Sequence, residues 1–289
     1  MMRPLARGIA VALVAALASG CAIPGPDAAE AAIAGIPRDR VRVTTDAFSG
    51  SLSYLHSGSP RTARVVFVHG TPGSARAWAD FLADVPDGEE YIALDRPGFG
   101  ESEPDGAVVS LRAQAQALEP FLDAPSEVPV ILVGHSLGAG VVAEAAYLYP
   151  DRVDGILILA GALDPGLEHP LWVQSLGRWP PFSWMLPREM DNANRELLAY
   201  KDQLQRLEPH LAEIDVPVDV IHGAQDSLVP FANVPFIRRH FAAAPLRVTR
   251  IENADHFLPW NDFALVRNEL NGFLARICTP QAVTVACAR

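Results

Sequence analysis

The chain has 289 residues, 49% of them hydrophobic and 20% charged, with a formal net charge of −11 at pH 7. That length fits one large domain or two small ones, and the apolar share excludes wholesale disorder and low-complexity repeats. The acidic balance, with Lys201 as the single lysine, argues against a nucleic-acid partner, because phosphate neutralisation needs clustered basic side chains.

In chain order, Arg3 and Arg7 precede an apolar run from Ile9 to Ala18, followed by Ser19-Gly20-Cys21. A basic start, a short apolar core and small exit residues predict a secretory signal over residues 1–20. The run is too short to span a bilayer, which takes about 20 apolar residues. The stretch Leu17-Ala18-Ser19-Gly20-Cys21 resembles a bacterial lipobox, which implies cleavage before Cys21 and lipidation of it. Several acyl chains anchor stably where one binds only marginally, so a lipid anchor in the cell envelope is expected. Ala22 after the cysteine favours the outer membrane by the same resemblance. Processing would remove two arginines and move the formal charge from −11 to −13. Residues 21–39 are rich in Ala, Pro and Gly, as a flexible tether is.

From Arg40 onward short β-branched runs alternate with helical patterns. Val41–Thr45 and Ser51–His56 alternate like an exposed hairpin. Val65–Val68, Tyr91–Leu94, Val130–Val133, Ile156–Leu159 and Val218–Ile221 are unbroken apolar runs, as strands buried on both faces of a parallel sheet must be. Arg247–Ile251 is the last strand candidate. Helical patterns fall between them at Ala75–Leu82, Leu111–Leu122, Leu137–Tyr149, Asn233–Phe241 and Asp262–Ile277. This alternation predicts an α/β fold with a doubly wound, mostly parallel sheet, its core made by residues 40–161 and 216–277. Residues 162–215 break the rhythm: they hold no strand, are aromatic-rich, and carry a charged helix from Asn192 to Leu207. They read as a helical cap over the strand ends. Residues 278–289 form a C-terminal tail in which Cys278 and Cys287 are predicted to bridge, because a secreted chain meets an oxidising compartment.

Gly134-His135-Ser136-Leu137-Gly138 follows one predicted strand and opens a helix. A serine on a strand–turn–helix elbow is strained and lifted above the sheet edge, with glycines removing side chains that would collide. A serine hydroxyl needs a base to take its proton. Asp226 and His256 stand beyond two later strands, on the same sheet edge and in the order Ser, Asp, His. In this reading His256 is the general base and then acid, and Asp226 orients it. Asp164, after the preceding strand, is the rival acid, whereas Asp255 points elsewhere on most backbone geometries. Two backbone amides must face the developing oxyanion. Leu137 would give one, and Thr71 the other, from the small-residue loop His69-Gly70-Thr71-Pro72-Gly73-Ser74, where His69 braces.

With these motifs in family order, joined by the turn Asp95-Arg96-Pro97-Gly98-Phe99-Gly100-Glu101-Ser102, the chain resembles the α/β-hydrolases over about residues 40–277. The resemblance implies that the Asp95–Ser102 turn is structural and lines the pocket floor, and that a helical lid follows the sixth strand. His135, Trp172, Trp184 and Met185 are then candidate pocket residues. It also implies a serine hydrolase of a small ester or lactone, a small-molecule acyl partner and an acyl-enzyme. No metal-ligand spacing and no dinucleotide fingerprint occurs, so no metal or cofactor is expected. Two alternatives stay open: cofactor-free perhydrolysis on the same three residues, as in haloperoxidases, and a surface binding protein without turnover.

Overall fold

The computed structural model describes residues 33–125, 127–169 and 186–278. The predicted signal, Cys21, Trp172, Trp184, Met185 and Cys287 lie outside them. Cys278 is within them, exposed at the end of the last helix. Among the described residues no helix is long and apolar enough to cross a membrane.

Eight strands form one sheet: β1 (Arg38–Thr44), β2 (Ser49–Gly58), β3 (Ala63–Val68), β4 (Glu89–Leu94), β5 (Val130–His135), β6 (Gly155–Leu159), β7 (Val218–Gly223) and β8 (Leu246–Ile251). Their spatial order is β1-β2-β4-β3-β5-β6-β7-β8. The β1–β2 and β2–β4 pairs are antiparallel and every other pair is parallel. The central strands have no polar face because both faces are covered. Val66 and Val68 enter the core on one side with Leu132, Ile156 and Ile158. Val65 and Phe67 enter the other with Ile131, Val133 and Leu157. Successive side chains of a strand point to opposite faces, so an unbroken apolar run feeds both cores.

The helices are α1 (Ala79–Ala83), α2 (Leu111–Gln116), α3 (Gly138–Leu148), α4 (Arg188–Leu207), α5 (Asn233–His240), α6 (Leu258–Asn261) and α7 (Phe263–Ile277). Two predicted helices are broken. Ala75–Leu82 starts as a 3-10 turn, Ala75–Trp78, before α1. Leu111–Leu122 ends α2 early and closes with a 3-10 turn, Glu119–Leu122, where Pro120 has no amide to continue the ladder. The charged helix begins at Arg188, one turn before Asn192, just after Pro187. It lies between β6 and β7 in sequence and packs against α3.

Parallel register brings the strand ends into line. Val68 pairs with Gly134, His135 with Leu159, and Gly223 with Ile251. The loops after β3, β5, β6, β7 and β8 therefore leave from one edge of the sheet. The chain passes from β3 outward to β4 on one side and later to β5 on the other, and a crevice opens at such a reversal.

Candidate active site

Ser136 sits between β5 and α3 with φ of 56°, the left-handed region that a non-glycine residue adopts only under constraint. Its amide donates to the Leu159 carbonyl at 3.0 Å, and its carbonyl accepts from Ala139 at 3.0 Å and Ala162 at 3.3 Å. A Cβ on Gly138 would lie 2.5 Å from the Val68 carbonyl oxygen, and one on Gly134 would lie 2.6 Å from that of Gly138. Both flanking positions thus need glycine for backbone approach. The partial positive charge of the α3 N-terminus lies beneath the serine.

The loop after β3 presses on this elbow. A Cβ on Gly70 would come within 2.9 Å of the Ser136 Cβ, so the loop that carries Thr71 passes against the serine. Among the described residues neither the Thr71 nor the Leu137 amide has a hydrogen-bond acceptor in the protein. A helix leaves its first amides without intrahelical partners, which explains the one at Leu137.

Asp226 and His256 meet as expected from their places after β7 and β8. His256 Nδ1 donates to Asp226 Oδ2 at 2.8 Å, with both residues buried. Asp226 Oδ1 accepts from the amides of Leu228 at 2.9 Å and Val229 at 2.8 Å. The carboxylate is thus held at both oxygens. Of the rival acids, Asp164 Oδ1 accepts from Gly166 at 2.8 Å while its amide is held by Asn233 at 2.9 Å. Asp255 Oδ1 accepts from the Phe257 amide at 2.8 Å, in the turn before α6. Geometry leaves Asp226 as the partner of His256.

Three further histidines support these groups from within the core. His135 is buried, its Nε2 donates to the His256 carbonyl at 3.0 Å, and its ring stands 4.8 Å from that of His256 and 5.1 Å from that of Trp260. Burial, then the field of His256, pushes its pKa down to about 3, so it is neutral. This pocket candidate thus props His256 from beneath. His222 Nε2 donates to Val229 at 2.9 Å and lies 3.7 Å from Asp226 Oδ2, with burial lowering its pKa. His69 Nδ1 donates to the Gly70 carbonyl at 2.7 Å and its Nε2 accepts from the Arg96 amide at 3.0 Å. Burial and the Arg96 charge hold it well below the usual range.

The Asp95–Ser102 turn is a structural hub. Asp95 accepts from the Ala75 amide at 2.7 Å, the Glu101 amide at 3.1 Å and Arg38 Nη1 at 2.7 Å. Its neighbour Arg96 is fully buried and reaches the loop after β3 and, on α4, Glu196, which is buried too. Neither Arg96 nor Glu196 is singled out by the sequence. The available signal is that Asn192, Glu196 and Tyr200 recur every four residues of α4, and all three are buried. Glu168, in the segment after β6, has its pKa pushed up to about 7 by burial and then by Asp164. Among the described residues no group of three or more His, Cys, Asp or Glu side chains is arranged to hold a metal ion.

A family model described as the alpha/beta hydrolase fold matches residues 63–213. The chain is 28% identical over 244 residues to the dihydrolipoyllysine-residue acetyltransferase component of the acetoin cleaving system of Cupriavidus necator, spanning 72% of this chain and 63% of that one. It is 36% identical over 112 residues to Lipase LipV of Mycobacterium tuberculosis, spanning 37% of this chain and 41% of that one. The chain thus covers less than two thirds of either relative. Among solved structures, a thermophilic esterase from Thermogutta terrifontis superposes with a TM-score of 0.66 at 21% identity, over 83% of this chain and 100% of that one. That likeness is one of fold.

Proposed function

The chain belongs to the alpha/beta hydrolase fold family, whose model matches residues 63–213, and on that premise we propose a serine hydrolase acting on small, modestly hydrophobic carboxylic esters or lactones. The observation that carries the reading is the 2.8 Å bond between His256 and Asp226 on the same sheet edge as a left-handed Ser136. His256 Nε2 takes the Ser136 proton as Oγ attacks the carbonyl carbon. The oxyanion accepts from the Thr71 and Leu137 amides. Collapse expels the alkoxide, which receives the proton from His256, and leaves an acyl group on Ser136. A water then gives a proton to His256 and attacks the acyl carbon; the acid departs and Ser136 recovers its proton. Asp226 keeps Nδ1 protonated, so that Nε2 is the free base in both halves. The ester class follows the names that two of the matched proteins carry. Lipidation at Cys21, with an envelope location, belongs to the same proposal, and radiolabelled fatty acid incorporation lost in Cys21→Ala would support it.

The test is labelling with a fluorophosphonate, alongside hydrolysis of p-nitrophenyl butyrate and a lactone panel. The wild-type protein is expected to label and turn over, and Ser136→Ala to lose labelling and several orders of magnitude of turnover. A Ser136→Ala protein with full esterase activity would sink the assignment. An unlabelled, inactive wild-type protein would make the chain a binding protein, and peroxide-dependent halogenation outpacing ester cleavage would make it a perhydrolase.

A further inference from the structure

Helix α4 carries its polar side chains where a surface helix carries apolar ones. Asn192, Glu196 and Tyr200 are spaced four apart, lie on one face and are each 2% exposed. Buried polar groups at that spacing need partners, and theirs lie on the candidate active site. Glu196 receives Arg96 through both oxygens, at 2.7 and 3.0 Å. Two further Arg96 donors reach the loop after β3: Nε donates to the His69 carbonyl and Nη2 to that of Gly70, each at 2.9 Å. Gln114 closes the cluster, accepting from Arg96 at 2.5 Å and donating to Glu196 at 2.7 Å. One helical turn further on, the Tyr200 hydroxyl donates to the Ala162 carbonyl at 2.7 Å and lies 3.2 Å from that of Leu137. Ala162 in turn donates its amide to the Ser136 carbonyl at 3.3 Å.

We propose that α4 sets the oxyanion site, with Glu196 and Tyr200 as positioning residues for the loops that present the Thr71 and Leu137 amides. The inference rests on the serine-hydrolase reading. Each loop carries one donor, the two meet at Ser136, and only together do they frame an oxyanion. Oxyanion donors work at about 2.7–3.1 Å, and a displacement of about 1 Å costs on the order of a hundredfold in rate. Two loops from different strands are set to that tolerance when a single rigid face holds both. Glu196 acts on the first through Arg96, and Tyr200 acts on the second directly and through Ala162. A shift of α4 therefore moves both donors, which couples the position of this helix to turnover rather than to substrate affinity.

The experiment compares Tyr200→Phe and Glu196→Gln with the full chain, by amide hydrogen exchange and by kinetics on p-nitrophenyl butyrate. Tyr200→Phe removes one hydroxyl and keeps the ring, so it is the variant that stays folded. It is expected to speed exchange at residues 137–139 and leave 69–73 unchanged, and Glu196→Gln is expected to do the reverse. Each should lower kcat about tenfold with KM within about twofold. Arg195→Ala, on the exposed face of the same helix, should change neither readout. Loop-selective exchange distinguishes positioning from general destabilisation, which would loosen both loops together. If the wild-type enzyme turns over but both variants keep kcat and loop exchange within about twofold, the brace is wrong and the hydrolase reading stands. If exchange changes loop by loop in a protein that cleaves no ester, α4 still positions these loops and the hydrolase reading falls.

Discussion

On one wall of the site, Asp226 is fixed by amides two and three residues ahead of it, and it holds a histidine 30 residues away on the adjoining strand end. On the other wall, the loop from His69 to Ser74 is gripped through Arg96 by a carboxylate 100 residues further along. The first wall is built from turns that close on themselves, and the sheet register brings its two members together. The second exists only once α4 has docked. In the proposed mechanism the base is then poised by local structure and the oxyanion cradle is conditional on tertiary packing. Damage to the first should appear as lost chemistry in a sound fold, and damage to the second as lost stability together with lost rate.

The largest break in that contrast is Asp226→Asn. Its oxygen would keep the Leu228 and Val229 amides, and its amide group would then face His256 Nδ1 and enforce the wrong tautomer. A fall in kcat of about 10³–10⁴ is expected, with an unchanged urea midpoint, measured by steady-state kinetics and equilibrium unfolding. Glu196→Ala should lower stability as well as rate. It leaves Arg96 charged, fully buried and without its carboxylate, and a loss of about 3–5 kcal/mol is expected in urea unfolding.

Acid should weaken both walls at once. His69, His135 and His222 are neutral in the fold, with His135 held down to about 3, whereas an unfolded histidine titrates near 6.5. Above that value neither state binds the proton and the full stability is present. Below it the unfolded chain protonates first, so stability is lost as the pH falls; for His135 the loss runs from about 6.5 toward 3 at up to about 1.4 kcal/mol per pH unit, and His69 and His222 add to it in the same direction. Thermal unfolding across that range tests this, and a flat profile would contradict it. The smallest effect belongs to Arg195→Ala, which removes an exposed pair with Asp191 one turn away and should cost about 0.3–0.5 kcal/mol.

Strands β3 to β7 were legible because unbroken apolar runs have one common physical cause, cover on both faces. Ser136 and Asp226 could be placed because each stands in a turn just past such a run, and His256 because it follows the last strand candidate, Arg247–Ile251; strand direction puts all three turns on one edge. Helix ends were read less well. The break at Pro120 and the start of α4 at Arg188 depend on caps and 3-10 turns that periodicity does not encode. The choice between Asp164 and Asp226 needed coordinates, because both follow parallel strands and only side-chain geometry separates them.

The sequence by itself determined the layered α/β architecture, the sheet edge on which Ser136, Asp226 and His256 gather and the tight strand–helix turn that holds Ser136, since each follows from patterns that close within a few residues or one strand. Tertiary structure alone decided that Arg96 pairs with Glu196, that Tyr200 reaches Leu137 and Ala162, and that three histidines are buried neutral. The reason is electrostatic. A buried charge must find a partner, but many arginines along the chain could answer a given glutamate. Only the docking of α4 on the sheet edge brings one of them within hydrogen-bonding distance and away from water.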